Sequence, residues 1–252
     1  TWKFKHPVAT NLHEIFKKQI GDKADWFFDE AMVNNDKIDY EIKSVKKNGD
    51  ELIIEVRNHT DIAPPIFIQT VDAKYQVLNT YAFDPINLKG NVSIPADENI
   101  RWITLDNQMT IPDINLGNNY LKVVDGKKRM KPTKINFFSS FENPYRKHLY
   151  VLPGFYGNFY DGGEIGLLLH NFSLLTKKTE WYAVPMFAIQ SLRPAFLGGI
   201  THTGYTKKGT SDRIVFKTTA AVQSYDAVAG NPLWSIVIAP ALKYVVQRRD
   251  IY

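Results

Sequence analysis

The sequence predicts a mainly β protein with a short N-terminal helical segment: a β-sandwich followed by antiparallel, barrel-like strands. Three observations carry this. Apolar residues recur at helical spacing only near the start of the chain. From about residue 37 the period changes to two, in short runs separated by Pro, Asn and Asp. From residue 136 the runs lengthen and keep one face apolar. The expected segments are therefore 1–36, helices; 37–125, sandwich; and 136–252, barrel-like strands that do not by themselves complete a barrel. A chain of 252 residues, 44% hydrophobic, is long enough to bury cores of this size.

In the first segment Leu12, Ile15, Phe16 and Ile20 fall on one helical stripe, which is expected to be buried. Asn11 is the expected N-cap, and Glu14 three residues later resembles the second half of a capping box. Gly21-Asp22 interrupts the pattern, and Ala24, Phe27, Phe28 and Ala31 predict a second helix. His13-Glu14 opens like H-E-x-x-H, which holds zinc with two histidines four apart on one face. Lys17 stands where the second histidine would be, and an ammonium repels a divalent cation. The pair is expected at the surface or in helix packing.

In the second segment Ile38, Tyr40 and Ile42 alternate with Asp39, Glu41 and Lys43. Asn48-Gly49 is a hairpin signal, after which Leu52, Ile54 and Val56 alternate again. Further strands are expected at Ile66-Phe67-Ile68, Tyr75 to Phe83, Asn91 to Ile94 and Ile100 to Leu105. Short strands with these breaks fit an antiparallel sandwich of about immunoglobulin size.

In the third segment one face reads Trp234, Ile236, Ile238, Pro240, Leu242, Tyr244 and Val246. The other reads Ser235, Val237, Ala239, Ala241, Lys243 and Val245. Residues 213–223 separate in the same way, with Ile214, Phe216, Thr218, Ala220 and Val222 on one side. Glu164, Gly166, Leu168 and His170 oppose Ile165, Leu167 and Leu169; Trp181 to Ile189 follows the rule less cleanly. A transmembrane strand needs ~10 residues with this division, lipid on one side and a polar lumen on the other. A soluble sandwich has the same periodicity, and Pro240, which removes a ladder donor, points that way. The membrane reading is favoured by strand length and by aromatics near strand ends.

Composition excludes other classes. The net charge of +5 is dispersed, and Lys127-Lys128-Arg129 and Arg248-Arg249 are too short for a nucleic-acid footprint. The absence of cysteine removes disulfides and thiolate metal sites. Thr1-Trp2-Lys3-Phe4-Lys5-His6 carries no signal-type apolar stretch, and no run approaches the ~20 residues of a spanning helix. None of His6, His13, His59, His148, His170 and His202 pairs with another histidine at ligand spacing. His170 and Glu164 share a strand face, but ~20 Å of rise separates them. Asp161-Gly162-Gly163 reads as a hairpin turn, and no serine sits in G-x-S-x-G. Asn58-His59-Thr60, Asn91-Val92-Ser93 and Asn171-Phe172-Ser173 match the glycosylation sequon at a level chance supplies. Phe155-Tyr156 and Phe159-Tyr160 read as girdle or core aromatics rather than a sugar- or base-stacking site. No catalytic, cofactor-binding or metal residue is assigned.

Residues 2–42, with Trp2-Lys3-Phe4-Lys5-His6-Pro7, the helix ending near Gly21, Trp26-Phe27-Phe28 and the step to Ile38-Asp39-Tyr40, resemble the closing helices of the catalytic domain in aminopeptidase N-type zinc metallopeptidases, the gluzincins. The stretch "LDNQMTIPDINLGNNY" (105–120) looks like the sandwich that follows in that family. Residues 145–171 are similar to barrel segments appended to proteins of outer-membrane-bearing bacteria. The resemblance implies a zinc site upstream of the matched region, so no catalytic residue carries over and zinc belongs to the parent protein. It also implies an upstream catalytic domain as partner, outer-membrane lipid as a second, peptide substrate through the parent, and no nucleic acid. The implied role is scaffold, spacer and membrane tether in the cell envelope. The alternative is a soluble all-β module that binds carbohydrate or protein through exposed aromatics.

Overall fold

A computed structural model of the chain describes residues 6, 8–32, 37–138, 140–159, 162–174, 177–205, 213–228 and 231–245. The fold is mainly β with one short α-helix near its start. Two compact units divide it, one running to Met130 and the other starting at Lys131.

The first unit opens with α1 (Ala9–Ile20), a 3₁₀ turn (Gly21–Ala24) and a π-helical turn (Trp26–Ala31). Val8, rather than Asn11, is the N-cap. Asn11 sits inside the first turn, and its Oδ1 accepts the Val8 N–H at 3.0 Å. The second helix expected from Ala24 to Ala31 is the 3₁₀ turn and the π turn. Gly21, at φ +65°, breaks the α geometry, and the wider turn lets Phe28 bury while Trp26 and Ala31 pack on the sandwich core. The stripe expected to be buried is not. Leu12, Ile15, Phe16 and Ile20 are each 42–48% exposed, and no residue of α1 is buried.

The sandwich consists of β1 (Tyr40–Asn48), β2 (Glu51–Asn58), β3 (Ile66–Val71), β4 (Val77–Phe83), β5 (Lys89–Pro95), β6 (Trp102–Leu105), β7 (Tyr120–Val124) and β8 (Lys127–Arg129). One sheet has the order β1-β2-β5 and the other β4-β3-β6-β7-β8. The β1–β2 hairpin closes where Asn48-Gly49 signals it, with Gly49 at φ +59°. Alternation delivers Leu52, Ile54 and Val56 from β2 and Val92 and Ile94 from β5 into one core. Ile66, Ile68, Ile103 and Leu121 meet them from the second sheet. The sequence pattern gave no warning of β7 and β8. The basic run 127–129 forms edge strand β8 with all three residues exposed, a placement that discourages further strand pairing.

Buried polar groups tie the sandwich loops. The Asn58 amide donates to Ile62 O at 2.8 Å, and Tyr40 Oη donates to Pro64 O at 3.0 Å. Burial pushes the Tyr40 phenol up to about 12. Asp113 accepts the N–H of Tyr40 at 2.9 Å and that of Asn115 at 2.7 Å. Burial nevertheless raises its pKa to about 6, against an ordinary 3.8. Between those values the folded form keeps a proton that the unfolded chain has lost. Stability from this group is thus complete below about pH 4 and falls as pH rises through about 6. Asp113→Asn is expected to flatten that descent in denaturant titrations across the window.

The second unit contains β9 (Thr133–Phe137), β10 (Lys147–Asn158), β11 (Gly162–His170), β12 (Thr179–Ala188), β13 (Pro194–Tyr205), β14 (Arg213–Val228) and β15 (Asn231–Val245). They make one sheet ordered β15-β14-β13-β12-β11-β10-β9. β10 to β15 are a continuous antiparallel meander, while β9 pairs in parallel with the first half of β10. The β11–β12 ladder is interrupted between Gly166↔Met186 and Leu169↔Ala183. Pro185 lies in that gap and has no N–H to donate. Gly166 fits there because a Cβ would come within 2.1 Å of Pro185 O.

Candidate functional site

Pairing register fixes which residues share a face of the long-stranded sheet. Phe155↔Ile165 and Ile165↔Phe187 place these three together. Trp181↔Ile200, Phe216↔Leu242 and Ile214↔Tyr244 belong to the same side. Collected strand by strand, that face carries Leu149, Val151, Pro153 and Phe155; Ile165, Leu167 and Leu169; Trp181, Ala183, Pro185 and Phe187. It continues with Phe196 and Ile200; Ile214, Phe216, Thr218, Ala220 and Val222; and Trp234, Ile236, Ile238, Leu242 and Tyr244. Among the described residues, over 149–155, 165–169, 181–187, 196–200, 214–222 and 234–244 it holds no Asp, Glu, Lys or Arg. Ile236, Ile238 and Leu242 are 67–74% exposed, and Phe155 is 79% exposed.

Aromatics gather at the two ends of this face. Phe155, Phe187 and Trp234 lie toward the end where β10 turns into β11. Trp181, Phe216 and Tyr244 lie toward the other. A membrane β-barrel presents an apolar band of this kind, flanked by aromatics, to lipid.

The reverse face is mixed. It presents Asn158, Glu164, His170, Thr201, Thr203, Lys217, Thr219, Gln223 and Lys243 among glycines and alanines. Val184, Met186 and Ala195 form a small apolar cluster on it with Leu168 and Tyr182. Glu164 and His170 are both buried on this side, as their shared parity requires. Asn158 donates to Glu164 at 2.8 Å. His170 instead stacks on Tyr150 at 5.2 Å and Phe172 at 4.8 Å, so the two residues do not work as an acid–base pair. Tyr150 donates to Ser140 O at 3.1 Å, and Lys177 pairs with Glu142, closing this end of the polar face.

The chain matches no protein-family model, and comparison with curated proteins and with solved structures found no significant match. Function therefore has to be read from these faces and from the helical start.

His13 finds its partners outside the H-E-x-x-H frame. Its Nε2 lies 3.1 Å from Asp25 Oδ1, its Nδ1 3.8 Å from Asp29 Oδ1, and its ring stacks on Phe28 at 4.6 Å. Glu14 is exposed and takes no part. The hydrogen bond from His13 and the nearby Lys17 charge hold the Asp25 carboxyl below the usual range. Ligand atoms of His13, Asp25 and Asp29 lie within 4.8 Å of one another. Lys17 Nζ is 3.5 Å from Asp25 and 3.1 Å from Asp22, so an ammonium already supplies the positive charge. That chemistry fits a helix-packing ion cluster and not a catalytic zinc.

Two of the three glycosylation sequons are spent on structure. The Asn58 side chain, at the end of β2, is buried and donates to Ile62 O, and Asn171 donates to Thr179 O and accepts from Trp181 N. Gly162, at φ +66°, opens β11 as a hairpin residue, while Asp161 lies outside the described residues. Tyr160, Val246, Arg248 and Arg249 lie outside them too, as do residues 2–5, 7 and 33–36 of the segment that carries the family resemblance.

Proposed function

We propose that this chain is the non-catalytic C-terminal region of an outer-membrane-associated zinc aminopeptidase-like protein. The helices and sandwich serve as scaffold and spacer, and the long-stranded sheet is the membrane tether. The observation that carries the tether is the exposed apolar face running across β10 to β15, free of charged residues between its aromatic ends, with a mixed reverse. Every backbone group inside a bilayer must be paired, and an antiparallel meander of long strands meets that demand along its interior.

The exposed stripe of α1 supports the scaffold part of the reading. Leu12, Ile15, Phe16 and Ile20 form an apolar surface beside the Phe27–Phe28 aromatics, suited to packing against the parent's upstream catalytic domain. Zinc and peptide substrate belong to that domain. The chain by itself is expected to hydrolyse no peptide; chelator-sensitive hydrolysis by the purified chain would refute this.

The tether is tested with phospholipid vesicles. The chain is expected to float with the vesicles and to have Trp181 and Trp234 fluorescence quenched by brominated acyl chains. A detergent-free, water-soluble monomer with unquenched tryptophans would sink the tether and favour the soluble binding module.

A further inference from the structure

The two ends of the long-stranded sheet differ in charge. β9, β10 and β14 start, and β15 finishes, at the same end, as the pairs Thr133↔Lys147, Lys134↔His148, Arg213↔Val245 and Val215↔Lys243 require. That end carries Lys134, Arg146, Lys147, Arg213 and Lys243, all exposed. Among the described residues its acids are Glu142 and Glu180. Glu142 is paired with Lys177, and Glu180 accepts the Lys177 N–H at 3.2 Å. Among the described residues no salt bridge engages the five exposed cations. At the opposite end the charged side chains described are Arg193 and a buried Glu164.

The cationic end also holds the girdle aromatics Trp181, Phe216 and Tyr244. Lys147 shares the face of these aromatics, and Lys134, Arg213 and Lys243 lie on the reverse face at the same strand ends, so both sides of this end present long basic side chains at headgroup level. We infer that this rim docks on an anionic phospholipid headgroup layer, through lipid phosphates, and so fixes which way round the sheet enters a membrane. The inference rests on the tether reading above. It adds a specific surface, Lys134, Arg146, Lys147, Arg213 and Lys243, and a partner chemistry. A basic residue near a charged lipid surface contributes roughly fivefold in binding, and the effect decays within a Debye length.

The test compares flotation of the full chain with phosphatidylcholine vesicles and with vesicles containing roughly 30% phosphatidylglycerol. The chain is expected to prefer the anionic vesicles by about tenfold or more, and the preference should collapse in high salt. The triple variant Lys147→Gln, Arg213→Gln, Lys243→Gln should lose it, while Lys147→Arg with Lys243→Arg should keep it. Circular dichroism confirms that each variant retains its strands. Equal binding to both vesicles, or a preference that survives in the triple variant, overturns the inference and leaves the tether intact. A preference abolished by inorganic phosphate at constant ionic strength also overturns it, because the rim then binds a free anion. Absence of binding to either vesicle refutes the tether reading itself.

Discussion

Ile238→Lys is expected to destabilise the membrane-embedded chain by about 2–4 kcal/mol, while its neighbour Val237→Lys should cost a fraction of that. The two positions are adjacent in β15 and are 67% and 53% exposed, so exposure alone does not separate them. They face opposite ways: Ile238 shares the apolar face with Ile236 and Leu242, and Val237 lies on the mixed face with Lys243. In water, lysine at either exposed site would change stability by no more than about 0.5 kcal/mol. In a bilayer, Ile238→Lys must drag an ammonium through hydrocarbon, whereas Val237→Lys turns toward polar surroundings. Unfolding from phospholipid vesicles by denaturant reads the difference. Equal effects for the pair would mean that the face does not meet lipid.

The second large effect concerns the sandwich. Ile54→Ala should cost about 2–5 kcal/mol, because it empties a site enclosed by both sheets. Ile54 is fully buried and its alternating neighbours Leu52 and Val56 enter the same core, so the cavity cannot close by a local shift. Leu12→Ala, on the exposed stripe of α1, should cost well under about 1 kcal/mol in this chain. Its cost should rise only when an upstream domain is present to cover it. Thermal unfolding of the two variants, in this chain alone and joined to the upstream domain proposed above, checks both expectations. A Leu12→Ala effect as large as that of Ile54→Ala in the chain alone would contradict the exposed stripe.

Much of the architecture was legible because period-two alternation is a strong signal where one face is buried or lipid-like. Ile54 and Val56, and Ile236 and Ile238, announce their faces by parity alone. Strand β13 was not read from the pattern, and strands β7, β8 and β9 were not legible for physical reasons. β6 is buried on all four residues and β7 on three of five, so alternation fades in this part of the sandwich. β8 consists of three charged residues, and β9 is held by a parallel partner that local sequence does not specify. The helix stripe was legible as a pattern but not as a burial, since periodicity says nothing about what covers a face. The partners of His13 were hidden because Asp25 and Asp29 reach it by a chain reversal at Gly21, beyond any motif spacing. Pro240 looked like an argument against a long strand. It is tolerated on β15 because that strand has a described neighbour on one side only.

That one-sided pairing has a material outcome. Among the described residues β15 has no partner strand on its outer side, so its edge is a template for strand addition. Preparations held in water without amphiphile should therefore grow by strand addition at this margin, giving ribbon-like assemblies instead of amorphous precipitate.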